Sequence, residues 1–481
     1  MCLSLFFSRR YILMVKANIW RGLMAVGMKL HHFAGPKPPR PDFKIVIPSR
    51  LSPRGGTFKL VFYVPDSYHT APDDYRFPVV VNFHGGGFTL GTGTDDARWA
   101  STIVKTVDAV LVSVEYRLAP EYPFSTGVED GTDAVIYLAS HAEELRLDPQ
   151  RMALSGFSAG GNFAFTVPLM LHDLQNGVGK RSLLSTNNNY PASSRPSSSR
   201  LASSYPSSSY PSSSYPSSQS SSTLQLPRRP EAYSSNSSTT SILKLTDLEP
   251  TELEIHQKVP DLNLRAIVSF YPPTDFRISR QDKRETNPVP EMNLPPMLTK
   301  LFDESYMHPP NMIDLTDPYL SPAAGSDKLL KAAYPQDIIL YTCEYDMLNA
   351  EGIAFGERLS GPQVGKTVHG GLVKEVPHAF DKKPNPIKFP VSADRCYAEA
   401  CSELKRIFGG RVSDEDRRQL DKSKVVDRFE DDLQRDRVTG EGERLMDETD
   451  MGDGVGGNDN GRWIGQPSIH DKMPNQENRI P

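Results

Sequence analysis

Cysteine is scarce in this 481-residue chain, with only Cys2, Cys343, Cys396 and Cys401. Four thiols so spread out cannot build the disulfide framework of a small secreted scaffold. No Cys-x-x-Cys pair stands near histidines, so no metal site is expected. Apolar residues are few as well, at 38%, and the mean hydropathy is −0.45. At the N-terminus no uncharged stretch exceeds eight residues, against ~20 for a membrane-spanning helix. A secretory signal is missing too, since the run Leu3–Phe7 is short and its arginines, Arg9 and Arg10, follow it. Charge of one sign is also lacking. The net of −5 leaves no basic field for nucleic acid, and no nucleic-acid partner is expected. These absences point to a cytoplasmic chain with no transmembrane helix.

Proline and serine, by contrast, are in excess. There are 41 prolines, and residues 193–222 hold 18 serines in 30 positions, with a YPSSS near-repeat from Tyr205 to Ser218. Such a segment has almost no aliphatic surface with which to offset the entropy of ordering, so 177–260 reads as a disordered insertion. Residues 412–481 carry 18 acidic and 11 basic side chains and read as an acidic disordered tail. Residues 1–41 are the opposite, with seven Lys or Arg and no acid before Asp42. This basic, apolar segment is a candidate cap helix and the one candidate for membrane-surface contact. Lys16, Arg21 and Lys29 do not share one helical face, which weakens the membrane reading. What remains of 42–411 is a single large domain of 286 residues.

Within it, Phe43–Ile47 and Thr57–Val64 flank a Pro-Arg-Gly-Gly turn as a hairpin. Phe77–Phe83, Asp108–Val114, Leu264–Phe270 and Asp337–Cys343 are continuous apolar runs of the kind buried on both sheet faces. Helical spacing is predicted over Val128–Leu145, from about Ala159, over Leu348–Leu359 and over Val391–Phe408, with strands at Arg151–Ser155 and Lys366–Val376. Strands alternating with helices predict an α/β fold with a mostly parallel central sheet flanked by helices.

Two turns carry chemistry. Strand Arg151–Ser155 runs into Gly156-Phe157-Ser158-Ala159-Gly160, a G-x-S-x-G step from strand to helix. Small residues there allow a tight turn that lifts a serine hydroxyl above the sheet at the positive end of the next helix. Directly after strand Phe77–Phe83 comes His84-Gly85-Gly86-Gly87-Phe88. Consecutive glycines bring backbone N–H groups close to a ligand, so Gly85, Gly86, Gly87 and the N–H of Ala159 are the candidate oxyanion hole.

HGGGF, then Tyr116-Arg117-Leu118-Ala119-Pro120-Glu121, then GFSAGGN resembles the hormone-sensitive-lipase-like branch of the α/β-hydrolases. The resemblance covers roughly 42–408 apart from the insertion. It implies an α/β-hydrolase fold with a helical cap and a serine carboxylesterase or lipase with a Ser-Asp-His triad. The cap is then expected from Arg277–Pro310 together with the N-terminal segment. The triad order after the elbow is Ser, acid, His. Of the histidines beyond Cys343, His470 is in the tail and His369 lies inside a predicted strand, leaving His378 as base. Glu344, Asp346 and Glu351 compete as the acid; Asp346 falls in the loop after the strand and matches the family motif. Ser158 and Asp346 are 188 positions apart, or 104 without the insertion, which suits one helix, two strands and a cap segment.

The expected chemistry is acyl transfer on Ser158 with a small-molecule ester of short to medium acyl chain, and no cofactor. Arg117 is expected to bridge carboxylates beneath the site. Asp95, Asp96 and Trp99 are candidates to line its entrance, though packing fits them better. Two rivals use the same fold. One is a ligand receptor, as in the plant hormone receptors of this branch, which lose the catalytic histidine; His378 argues against it. The other is a scaffold recruited through the YPSSS segment. Oligomeric state is not legible in the sequence.

Overall fold

The computed structural model describes residues 9–177, 242–243 and 259–409. The acidic tail, His470 and nearly all of the Ser/Pro-rich insertion lie outside the described residues. Among these residues nine strands form one sheet: β1 (Phe43–Pro48), β2 (Thr57–Tyr63), β3 (Phe77–Phe83), β4 (Val110–Glu115), β5 (Leu147–Phe157), β6 (Ile242–Leu243), β7 (Leu264–Phe270), β8 (Asp337–Tyr345) and β9 (Thr367–Pro377). Their order is β6-β1-β2-β4-β3-β5-β7-β8-β9. β2 pairs antiparallel with both β1 and β4, and every other pairing is parallel.

The apolar runs become central strands because both faces of the sheet are covered. All seven residues of β3 are buried. Val79 and Val81 point to one layer with Leu154, Ile267 and Leu340. That layer is closed by helices α3 (Thr126–Ser140), α4 (Ala159–Gln175) and α8 (Asn349–Ser360). Val80 points the other way with Ala153, Val268 and Ile339, under α2 (Ala97–Thr102) and α9 (Val391–Ile407). Successive side chains alternate between the two layers, as the strand period requires. Each fully buried Val or Phe contributes ~1.5–3 kcal/mol.

Three sequence readings shift. The helix expected over Val128–Leu145 ends at Ser140, and β5 starts at Leu147, four residues before the expected strand. Its start, Leu147-Asp148-Pro149-Gln150, is too polar to read as a strand, yet Leu147 pairs with Phe77. Ile242–Leu243, inside the segment expected to be disordered, pairs parallel with β1 at the sheet edge. The N-terminal segment forms a 25-residue helix, α1 (Arg9–Phe33). It packs on α6 (Pro296–Tyr306), which with α5 (Arg280–Glu285) lies in the expected cap region; α7 (Asp327–Ala333) follows. Among the described residues, no helix is long and apolar enough to cross a membrane.

Candidate active site

β5 ends at Phe157 and α4 begins at Ala159, so Ser158 alone makes the turn, at φ 53° and ψ −116°. A residue other than glycine reaches positive φ only when its surroundings force it. Here the elbow is wedged against the neighbouring strand: a Cβ on Gly160 would lie 1.9 Å from the carbonyl oxygen of Phe83. The Ser158 N–H is held by the carbonyl of Phe270 at 2.9 Å.

Because β5, β8 and β9 run parallel, the loops after them meet at one end of the sheet. The loop after β8 carries Asp346 and the loop after β9 carries His378. Ser158 Oγ lies 2.8 Å from His378 Nε2, and His378 Nδ1 lies 2.7 Å from Asp346 Oδ2. Nδ1–H donating to the carboxylate leaves Nε2 free to accept the serine proton. The other oxygen of Asp346 accepts from the Leu348 N–H at 3.0 Å, which fixes the carboxylate plane. Both Asp346 and His378 are buried.

The glycine loop abuts this elbow. A Cβ on Gly85 would sit 3.1 Å from the Phe157 carbonyl oxygen, and the loop closes on itself as Thr89 and Leu90 donate to Gly86 O. Among the described residues, no acceptor takes the N–H of Gly86, Gly87 or Ala159. Gly87 has φ 58°, and a Cβ there would meet the Phe302 ring of α6 at 2.2 Å. The cap thus presses an aromatic ring onto the loop, and behind it Phe88 stacks on Tyr306 at 3.8 Å.

The Tyr116–Glu121 segment buttresses that loop. Tyr116 stacks on His84 and donates to its carbonyl at 2.8 Å, and the Ala119 N–H bonds Phe88 O at 2.9 Å. Arg117 grips both oxygens of buried Asp130, at 2.9 and 2.7 Å, so it serves one carboxylate. Arg21 of α1 reaches the same segment, bonding both oxygens of Glu121 and the carbonyls of Ala119 and Thr89. Burial alone would raise the Glu121 pKa, but the Arg21 hydrogen bonds outweigh it and hold it below the usual range.

A second charged group lies behind the histidine. Lys382 Nζ sits 2.9 Å from Asp96 and 3.2 Å from Asp381, and 3.9 Å above the Phe157 ring. Asp381 also accepts from Tyr271 and Tyr397, and the Tyr271 ring meets His378 edge-on at 4.9 Å. Burial opposes both charges, yet Lys382 holds Asp381 below the ordinary carboxylate range, while Asp381 and Asp96 raise Lys382. Asp96 and Trp99 are accordingly buried in packing and hydrogen bonds; Asp95 is buried too and binds the Thr92 N–H.

The competing residues have other partners. Glu351 pairs with Lys283 of α5 and accepts from the Thr274 N–H at 2.8 Å. Glu344 accepts from the Glu375 N–H, and His369 bonds Asp337 at 3.0 Å, next to the first residue pair of β8 and β9. Arg21, Phe302, Asp381 and Lys382 were not found from sequence. No local pattern marks them: Arg21 meets Glu121, Phe302 meets Gly87, Lys382 meets Asp96 and Asp381 meets Tyr271 through long-range contacts, and the adjacency of Asp381 and Lys382 alone signals nothing. Among the described residues, no cluster of three or more His, Cys, Asp or Glu is arranged to hold a metal ion.

Comparison with known proteins agrees with this architecture. A family model described as an alpha/beta hydrolase fold matches residues 80–222 and 248–382, more than half of the chain. Esterase LipI of Mycobacterium tuberculosis is 34% identical over 160 residues, 33% of this chain and 48% of that protein. Carboxylesterase NlhH of the same organism is 40% identical over 99 residues, 21% of this chain and 31% of that one. The chain therefore spans about half, or less, of these curated relatives. A Pyrobaculum calidifontis esterase superposes with TM-score 0.54 at 21% identity, covering 81% of this chain and 93% of that one, a likeness of fold. With the family match, the fold and the ordered motifs in agreement, the chain belongs to the α/β-hydrolase fold family, in its hormone-sensitive-lipase-like branch.

Proposed function

We propose that this protein is a serine hydrolase that cleaves carboxylic esters through an acyl-enzyme on Ser158. The observation that carries the reading is the unbroken hydrogen-bonded chain from Ser158 through His378 to Asp346. His378 Nε2 takes the serine proton as Oγ attacks the ester carbonyl, and Asp346 orients the ring and stabilises its charged form. The oxyanion forms beside the free N–H groups of Gly86, Gly87 and Ala159, with Gly85 shaping the turn. One such donor is worth ~3–4 kcal/mol to the transition state. His378 then gives its proton to the departing alcohol, and water, activated by the same histidine, releases the acid.

The activities after which the relatives are named, esterase and carboxylesterase, support an ester as the substrate class. The ring of Phe302 over Gly87 supports short to medium acyl chains, since it narrows the space above the loop. A panel of p-nitrophenyl esters of rising chain length tests this. Turnover is expected to be highest at the short end and to fall by at least ~10³-fold in Ser158→Ala. Retained turnover in that variant would overturn the mechanism.

A further inference from the structure

The outer face of α1 is apolar along its whole length. Ile12, Val15, Ile19, Leu23, Val26 and Leu30 are all exposed, and they recur every three or four residues. Phe33, at 64% exposure, ends the row. At 100° and ~1.5 Å per residue they form one stripe about 32 Å long. Scattered exposed apolar residues are ordinary, but a continuous stripe marks an interaction surface.

Charge indicates what covers it. The structure sorts basic residues that appear scattered in sequence. Arg21 points inward to Glu121, and Arg9 pairs with Glu304 at 2.7 Å, which neutralises both of those acids. Lys16 and Lys29 are exposed, make no ion pair among the described residues, and flank the stripe roughly 60–80° to either side. The first 41 residues contain no acid, although the whole chain carries −5. An apolar stripe edged by lysines is the pattern of a helix lying in a lipid headgroup layer, apolar side down with ammonium groups beside the phosphates.

We infer that α1 docks this protein on an anionic lipid surface. Its inner face gives the docking a direction. Arg21 bonds the glycine-loop carbonyl of Thr89, His31 Nδ1 bonds the carbonyl of Lys383 in the loop after His378, and the helix packs on α6. The helix therefore lies across the loops of the candidate site, and docking turns that side of the molecule to the lipid.

Co-sedimentation of the full chain with phosphatidylcholine vesicles, with and without phosphatidylserine, tests this independently of any esterase activity. Binding is expected to vesicles containing phosphatidylserine and to weaken in high salt. It should fall at least ~10-fold in Ile19→Ser/Leu23→Ser/Val26→Ser, and several-fold in Lys16→Glu/Lys29→Glu. Circular dichroism checks that both variants remain folded, and the charge variant keeps the apolar stripe if the triple variant misfolds. Protein left in the supernatant with both lipids overturns the inference. So does undiminished, wild-type binding by both the apolar and the charge variant, which would place the contact elsewhere. A stable dimer by light scattering that the apolar variant dissolves would assign the stripe to a second copy.

Discussion

Ser158 depends on residues whose importance lies in position. Lys382 touches neither Ser158 nor Asp346, yet it ties Asp96, which follows the glycine loop, to Asp381, which follows His378, across the ring of Phe157. Asp96, Asp381 and the Tyr397 hydroxyl converge on that ammonium, and Tyr271 and Tyr397 both donate to Asp381. Removing the ammonium leaves the acids unpaired, at a cost of ~3–5 kcal/mol. Lys382→Met is expected to lower stability in urea by that order. It should also lower kcat ~10-fold or more while KM stays nearly constant, because the His378 loop loses its anchor. A role in packing alone would lower stability and leave kcat of the folded fraction unchanged.

Among the elements, α1 is held at its C-terminal end by a histidine. Burial, aided by Lys382, Arg98 and His32, lowers the His31 pKa from 6.5 to about 4, although its bond to the Lys383 carbonyl pulls the other way. His31 is thus neutral in the fold and charged in the unfolded chain below pH 6.5, so its contribution is full above 6.5 and is lost as pH falls toward 4. Hydrogen exchange is expected to show protection of the last turns of α1 falling over that window, by at most a factor of ten per pH unit. His31→Gln should abolish the trend. Local exchange is the right readout because Asp133, raised mainly by burial to about 7, drives global stability the other way, down as pH rises from about 4 to 7.

For the whole molecule, α4 ends at Gln175 and β7 begins at Leu264, far apart in the chain. Leu154 of β5 nevertheless pairs directly with Ile267 of β7, so the core closes across the long segment between them. We propose that residues 177–260 interrupt one hydrolase domain, with Val259 at their end resting against its core, and that 412–481 extend it. Deleting 177–260 is expected to leave ester turnover within a few-fold and to cost little stability beyond the edge pairing of Ile242–Leu243 with β1. Loss of folding on deletion would show that the segment is integral.

Much of this was legible in the linear sequence, and the reason is locality. A strand buried on both faces must be a continuous apolar run, so β3, β7 and β8 could be read directly. A turn that places one residue between strand and helix needs small neighbours, so Ser158 and the glycine loop carry their own signature. His378 followed from chain order and the strand before it, and Asp346 from its loop after a strand together with the match to the family motif. The tertiary structure alone decided which charges meet. Arg21 finds Glu121 a hundred residues away, Lys382 finds Asp96, and Phe302 settles on Gly87. It also decided which way α1 faces, turning Arg21 inward and leaving the stripe from Ile12 to Phe33 outside. Backbone needs are set within a few residues of the chain, whereas desolvated charge pairs and exposed faces depend on what the folded chain brings alongside.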